Sequence, residues 1–457
     1  MLNTGTRTIA GHELENSAIP LLLTLGLGVL AGALDLGVLS PALPAIGVQF
    51  GVGTGDLSWI FTLYLLANIV SIAIMSTLAD RYGRRPIYIA CVSLFALGSL
   101  IAVLSPSYNV FLFARAIQAL GAGGIFPVAT AAIADAFPPA RRGAALGMVA
   151  ATWGVAAVIG PLFGGVVTHF VSWRWIFILN FPLAAVVIYL ARTYVPVNAP
   201  RVRGPLDGFG LSLLALGLLS LMYGISGAHA TTIAIGLLLL VGFGLWQRIA
   251  RHPIVPPKLF TTPQLVKTYA LELAIGMLEG SLFFVPTVLV GAQHLSYAAA
   301  GLIAAIGAFV FVAVIPGAGR ALDRIGSRDV LLVGTFCTEV GIAFFALGFD
   351  TLWMSIAAMI VAGLGFGALL GAPTRYIVTN ETTPRTRSTA VGLLSQFLII
   401  GQILGGSLAG GIMSIALSDS AAYRDTYLAF AVVALIAMAI AATLRSRREE
   451  LRVQTPE

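Results

Sequence analysis

The sequence predicts an all-α polytopic membrane protein: two six-helix bundles with an inserted two-helix hairpin, fourteen transmembrane helices in all. Three observations predict it. The chain of 457 residues is 58% hydrophobic and only 10% charged, where a soluble domain carries about 25% charge, so it cannot clothe itself in a water-compatible surface. Apolar runs long enough to cross a bilayer core recur along almost its whole length. The cations fall in alternate gaps between those runs, as a membrane topology demands.

Taken in order, the runs are bounded by charged residues or by Pro and Gly. The first, 18–46, follows a polar tail of mixed charge, 1–17. It lacks the short apolar core and small-residue cleavage site of a removable signal peptide, and none is expected. Next come 57–79, ending at Asp80-Arg81; 86–104, beginning after Arg84-Arg85; 109–134; 143–170, beginning after Arg141-Arg142; and 175–193. The runs 208–226 and 230–249 lie between the Pro- and Arg-bearing stretch Pro196–Pro205 and the segment His252–Lys258. The remaining runs are 268–292, 298–318, 329–348, 352–374, 388–416 and 424–444. An even number of crossings puts both termini on one side.

If that side is the cytoplasm, every Lys and Arg lies in a cytoplasmic gap or tail, or, as Arg192 and Arg248 do, at the cytoplasmic end of a run, except Arg115 within a helix and Arg174 and Arg424 outside. The sequence therefore satisfies the positive-inside rule at every loop. The net charge of +7 then reflects topology rather than a nucleic-acid footprint, and the expected location is the cell membrane. Cys91 and Cys337 both lie in apolar runs; they imply no disulfide framework and read as apolar fillers.

The chain repeats itself. Ser76-Thr77-Leu78-Ala79-Asp80-Arg81-Tyr82-Gly83-Arg84-Arg85 returns as Gly319-Arg320-Ala321-Leu322-Asp323-Arg324-Ile325-Gly326-Ser327-Arg328, an offset of 243 residues (80 to 323). Ile159-Gly160-Pro161-Leu162-Phe163-Gly164-Gly165 returns as Ile400-Gly401-Gln402-Ile403-Leu404-Gly405-Gly406, an offset of 241 (160 to 401). Two matches at nearly one offset indicate a duplicated half. Both halves begin on the same side, so they are parallel repeats, and in such transporters the substrate site lies near the midplane between the halves. The expected division is a tail 1–17, a six-helix bundle 18–193, a linker with the inserted pair 194–267, a second bundle 268–444 and a tail 445–457.

These motifs carry a family resemblance. The duplicated Asp-Arg-x-Gly loop resembles the cytoplasmic signature of the major facilitator superfamily. Arg115-x-x-Gln118-x-x-Gly121 is similar to that family's intramembrane arginine motif, and Gly160-Pro161-x-x-Gly164-Gly165 to the antiporter motif of its drug/proton exporters. Leu34-Asp35 with Pro41-x-Leu43-Pro44, and Trp173-Arg174-Trp175-Ile176-Phe177 with Asn180 and Pro182, resemble its fourteen-span drug/proton antiporter branch. Ser76, Ala119 and Ala156 stand where glycine is usual in the family, each a small-for-small exchange that leaves close packing intact and the substrate open.

Asp35 is the first candidate for proton coupling. Carboxylates inside a span are costly, usually face a cavity, and mark ion or proton pathways. Asp35 lies about 25 Å along its helix and Arg115 about 9 Å from the outer end of its own, so the two could share a depth. A neighbouring arginine favours a carboxylate's charged form and burial alone the neutral one; a switch between these settings moves a proton, whereas a permanent ion pair is purely structural. Arg115 and Gln118 share a helix face. The resemblance gives the arginine a part in proton coupling, against a plain hydrogen-bonding clamp.

Glu272 and Glu279 lie two turns apart on one face, and Glu339 stands near mid-depth. Glu279 and Glu339 are candidates for proton coupling; Glu279 and the more interfacial Glu272 are candidates for attracting a lipophilic cation. Satisfied contacts between helices are the alternative. Trp59, Tyr64, Phe126 and Trp153, with Asp35 and Gln118, could line a drug cavity through apolar and cation-π contact, although most such aromatics pack or face lipid.

Asp80, Arg81, Gly83 and Arg84, with Asp323, Arg324, Gly326 and Arg328, form the two loop motifs. There charge pairs and helix dipoles can latch the halves on the cytoplasmic side, and the resemblance implies a latch favouring the outward-open state. Pro161 should bend the fifth helix, while Gly160, Gly164 and Gly165 allow close helix approach that joins the halves and limits proton leak.

Asn380-Glu381-Thr382 matches a glycosylation acceptor in a loop expected to be cytoplasmic, and Gly363-x-Gly365-x-Gly367 follows no strand, so it reads as helix packing. No Walker loop, metal-ligand cluster or nucleophile constellation is visible. The expectation is not an enzyme but a secondary transporter exporting hydrophobic or cationic small molecules in exchange for protons, by alternating access. A facilitator-fold exporter of a lipid or metabolite is the alternative, and a receptor or intramembrane enzyme a remoter one. No cofactor, no metal and no nucleic acid are expected; the partners are the substrate, protons and the lipid bilayer, with the chain acting as a monomer.

Overall fold

A computed structural model describes residues 5–53, 55–137, 139–197, 207–226, 229–251, 253–255, 257–382, 387–415 and 419–454. The described residues are helical, with no strand among them. Fourteen helices are long and apolar enough to cross a membrane: Ile19–Phe50, Ser58–Ser76, Arg84–Leu104, Tyr108–Ile133, Ala151–Phe170, Arg174–Tyr194, Gly208–Ile225, Ala230–Ile249, Pro263–Gln293, Tyr297–Ile325, Ser327–Gly348, Leu352–Asn380, Ala390–Ser414 and Ala421–Ala442. They are called spans 1 to 14 in that order. They coincide with the fourteen apolar runs; the differences lie at the ends, where helices extend beyond the membrane-length apolar stretch.

Three spans are broken where proline removes a backbone donor and crowds the preceding turn. Span 1 passes through a 3-10 turn at Ser40–Ala42, around Pro41, before Leu43–Phe50. Span 9 divides into Pro263–Leu282 and Val285–Gln293 ahead of Pro286. Span 12 divides into Leu352–Leu369 and Pro373–Asn380. Spans 1 and 9 also stop alike, on the left-handed residues Gly51 and His294, again 243 residues apart. Pro161, by contrast, sits inside one continuous helix, Pro139–Phe170; the backbone accommodates it without a break.

By contact the chain forms two compact units. The first comprises residues 1–37, 67–159 and 174–206, the second 38–66, 160–173 and 207–457. The first is built around Leu25, Tyr88, Phe95, Val128, Ile133 and Val187, with the Tyr88 hydroxyl donating to the Thr24 carbonyl at 3.1 Å. In the second, the core runs from Leu271 and Leu278 through Phe345 to Tyr427 and Phe430.

The second unit takes in the ends of spans 1, 2 and 5 that lie away from the chain termini, because those ends pack on helices of the second half. Ser40 Oγ donates to the Phe283 carbonyl at 2.7 Å, and the rings of Phe61 and Phe283 stack at 4.4 Å. The Pro161 and Gly165 backbones lie against Gly301, where a side chain on either glycine would collide. Spans 7 and 8 pack on each other and span 7 on span 13. Span 8 leaves Leu237, Leu238, Val241 and Ile249 exposed, a surface that suits lipid.

Candidate functional site

The most concentrated buried polar group in the first unit is assembled by spans 1, 3, 4 and 6. Spans 3 and 4 approach so closely that a side chain on Gly98 would strike the Gln118 backbone, and one on Gly121 the Phe95 backbone. That contact sets Ser99 beside Gln118. Arg115, fully buried, donates from Nη1 to Asp35 Oδ2 at 2.5 Å and also to Gln118 Oε1. Gln118 in turn donates from Nε2 to Asp35 Oδ1 at 2.7 Å and lies 3.0 Å from Ser99 Oγ, which Asn180 Nδ2 also approaches at 3.0 Å. The Phe177 ring lies 5.9 Å from the guanidinium carbon.

Both Asp35 oxygens are therefore engaged, one by a guanidinium and one by an amide, in an interior only 3% exposed at Asp35. Losing either partner of a pair so buried would leave the other's charge unpaired in the interior. Chemically, the arrangement offers one acid whose charge is matched by one arginine, with a glutamine bridging them. Protonation of Asp35, or withdrawal of Arg115, changes all three partners at once. Sequence reasoning named Asp35, Arg115, Gln118 and Asn180; it missed Ser99, whose only sequence signal is its place one residue after Gly98.

The second unit houses the other acids. Glu272, on span 9, has Thr374 as a side-chain hydrogen-bond partner and Arg375 as a charged neighbour; Glu279, two turns on, has Gln402. Each leaves its Oε2 buried without a hydrogen-bond partner among the described residues, as does the half-buried Glu339. Glu272 and Glu279 neighbour one another. Gln402 belongs to the second copy of the Gly-Pro-x-x-Gly-Gly segment, at the position where the first copy has Pro161.

The aromatic candidates separate. Phe126 and Trp153, each over a third exposed, pack edge to face at 6.3 Å in the first unit. In the second unit Trp59 rests on Tyr223 of span 7 at 6.2 Å, and Tyr64 is fully packed at 1% exposure. Gly164 abuts the Val38 backbone and Gly165 the Tyr297 carbonyl, so the glycine and proline face of the fifth-span motif packs on protein, while Leu162 and Phe163 between them are exposed.

The two loop motifs fold alike. Gly83 (φ 97°, ψ 157°) and Gly326 (φ 90°, ψ 170°) occupy the same conformation between consecutive spans, one that side-chain-bearing residues rarely adopt. Around the first, Arg84 pairs with Asp135 at 3.3 Å and Arg81 is exposed; the Asp80 side chain lies outside the described residues. Around the second, Asp323 and Arg324 are exposed, Arg328 lies near Glu449, and the Asp323 carbonyl accepts from Arg447 Nη2 at 3.0 Å. Asp135, Arg447 and Glu449 were not singled out in the sequence.

Comparison with known proteins gives a consistent picture. The family model described as Major Facilitator Superfamily matches residues 25–278 and 268–457. An uncharacterized MFS-type transporter of Bacillus subtilis (strain 168), YfiU, is 32% identical over 416 residues, which cover 85% of this chain and 78% of that protein. A multidrug resistance protein B homolog of Mycobacterium tuberculosis (strain ATCC 25618 / H37Rv) is 28% identical, with 88% of this chain and 77% of that protein aligned. In fold, a bacterial homolog of the human lysosomal transporter Spinster, solved inward-facing and unoccupied, superposes with a TM-score of 0.68 at 18% identity, covering 93% of this chain and 96% of that one.

Proposed function

Since the chain belongs to the Major Facilitator Superfamily, and is thus a multi-pass membrane transporter rather than an enzyme, we propose that it is a proton-coupled antiporter. On this reading it exports hydrophobic or cationic small molecules across the cell membrane by alternating access, with both termini cytoplasmic. The observation that carries the reading is the Asp35–Arg115–Gln118 group. A membrane-buried acid held by a single arginine is a group whose charge state and partner can change together, which is what coupling requires. Glu279, with an oxygen that no described residue engages, supplies a second acid for a proton or for the cargo's positive charge, and Glu339 and Glu272 extend that set. The relative named for multidrug resistance supports the cargo class.

Alternating access is the motion that two parallel repeated halves of this kind imply. The two Asp-Arg-x-Gly turns, on the side of the termini, would then latch that side when the far side opens. The fifth-span glycines would seal the contact against proton leak.

The test uses purified protein in proteoliposomes with tetraphenylphosphonium as the cargo. An imposed proton gradient should drive its accumulation in the wild-type protein. Asp35→Asn should lose the gradient-driven component, about tenfold or more, while remaining monodisperse and still exchanging cargo downhill. Full proton-driven accumulation by Asp35→Asn would remove that acid from the mechanism; no movement of cation by the wild type would point to a lipid or metabolite as cargo.

A further inference from the structure

The last described segment of the chain, the helix Arg447–Gln454, is seated on the second loop motif. Its start is self-capped: Ser446 N and Oγ both donate to Glu449 Oε2, at 2.7 and 2.9 Å, the Glu-to-N-cap half of a Ser-x-x-Glu capping box. Its next residue does the docking. Glu450 is buried and accepts from the Ser327 hydroxyl, at the first turn of span 11, where a helix N-terminus favours negative charge.

Arg447 completes the contact. Its guanidinium donates to the Asp323 carbonyl at 3.0 Å and to the Tyr376 hydroxyl at 3.2 Å, and its backbone lies so near Gly326 that a Cβ there would be 2.8 Å from the Arg447 Cβ. Arg445 pairs with Glu381. One eight-residue helix thus covers the Gly326 turn and ties it to the end of span 12. At the first motif, among the described residues, Arg84 is held by Asp135, just past the end of span 4.

We propose that the C-terminal helix is an internal competitor for the second loop motif. While docked it occupies the Gly326 turn, and any other partner of that turn must displace it. This rests on the reading of the motifs as a latch that closes the side of the termini and opens the far side. Docking then favours the state in which the far side, where Ser40 and Phe61 pack on Phe283, is shut.

The test needs neither cargo nor a proton gradient, so its failure is distinct from failure of the transport reading. In full-length protein with Cys91→Ser and Cys337→Ser, a cysteine placed by Ser40→Cys reports opening of the far side through its rate of maleimide labelling. Glu450→Ala, and separately Arg447→Ala with Glu450→Ala, should raise amide exchange across residues 323–330, showing that the helix has come off. Labelling at position 40 should rise with it, by about tenfold, the effect of losing one charge-assisted hydrogen bond. Glu450→Asp should fall between the two. Unchanged exchange at 323–330 would overturn the docking, and raised exchange with unchanged labelling would overturn the competition.

Discussion

Asp35 in the first span and Glu279 in the ninth stand one residue away from equivalence under the 243-residue repeat, and they are housed in opposite ways. Asp35 has both oxygens bonded, to Arg115 and Gln118. Glu279 has Gln402 beside it and an oxygen that no described residue reaches. Duplication reproduced the proline break and the left-handed stop of these two helices but not the electrostatics between them, because the position matching Arg115 in the second half is Ala358. One half carries a matched charge pair; the other carries a buried acceptor that no described residue engages.

The largest consequence concerns which acid the fold depends on. Removing one member of a buried ion pair costs about 3 to 5 kcal/mol, so Asp35→Asn, which takes away the charge opposite Arg115, should lower the thermal midpoint by many degrees in detergent. Glu279→Gln keeps an acceptor and a donor for Gln402 and should stay within about 1 kcal/mol of wild type. Binding should reverse the order. Tetraphenylphosphonium affinity, followed by tryptophan fluorescence, should fall about tenfold in Glu279→Gln through loss of the uncompensated charge. Equal destabilisation by the two substitutions would erase the distinction drawn between the halves.

The same contrast shows what a sequence can carry. The fourteen crossings were legible because apolar length and the side on which cations fall are both one-dimensional signals, and each fixes the other. The pairing of Asp35 with Arg115 was legible as a shared depth. Their contact was not, since it depends on span 1 lying against span 4, where Gly32 faces Ala122, and nothing in a single sequence says which glycines face which helix. Ser99 and the Thr374 and Gln402 neighbours of the second-unit acids went unnoticed for that reason: a hydroxyl or amide in an apolar run has no periodicity of its own. The docked terminal helix was read as a tail because eight residues, five of them charged, look like a solvated segment until Gly326 and Ser327 supply a seat.

The two loop motifs allow a sharper test of unequal housing. Gly83→Ala and Gly326→Ala each force a side chain into a positive-φ extended conformation that is essentially glycine's alone, and should each cost about 1 to 3 kcal/mol. Gly326→Ala must also push against Arg447, so its cost should be the larger, and deleting residues 447–457 should bring the pair level. Thermal unfolding of the two variants, with and without the terminal helix, measures the difference; equal costs in the full-length chain would mean that the helix does not press on the turn.

The smallest effect lies in the inserted pair of spans, which has no copy in either half and so shows what an acid does outside the duplicated frame. Asp207 accepts from the Gly210 amide, the Trp246 indole and the Gln247 amide, all at 2.8 Å, and closes the two helix ends on each other. Partial burial pushes its carboxyl up, but these three hydrogen bonds outweigh that and hold it below the usual carboxylate range. A carboxyl lowered by folding contributes stability that is fully present above its unfolded value, about 3.9, and is lost as pH falls through the lower folded value. Amide exchange at 208–212 should therefore be slow at neutral pH once corrected for intrinsic rates, and should quicken as the pH drops below about 4. Asp207→Asn should flatten that dependence while leaving spans 1 and 9 untouched. A pH response that survived the substitution would assign it to another group.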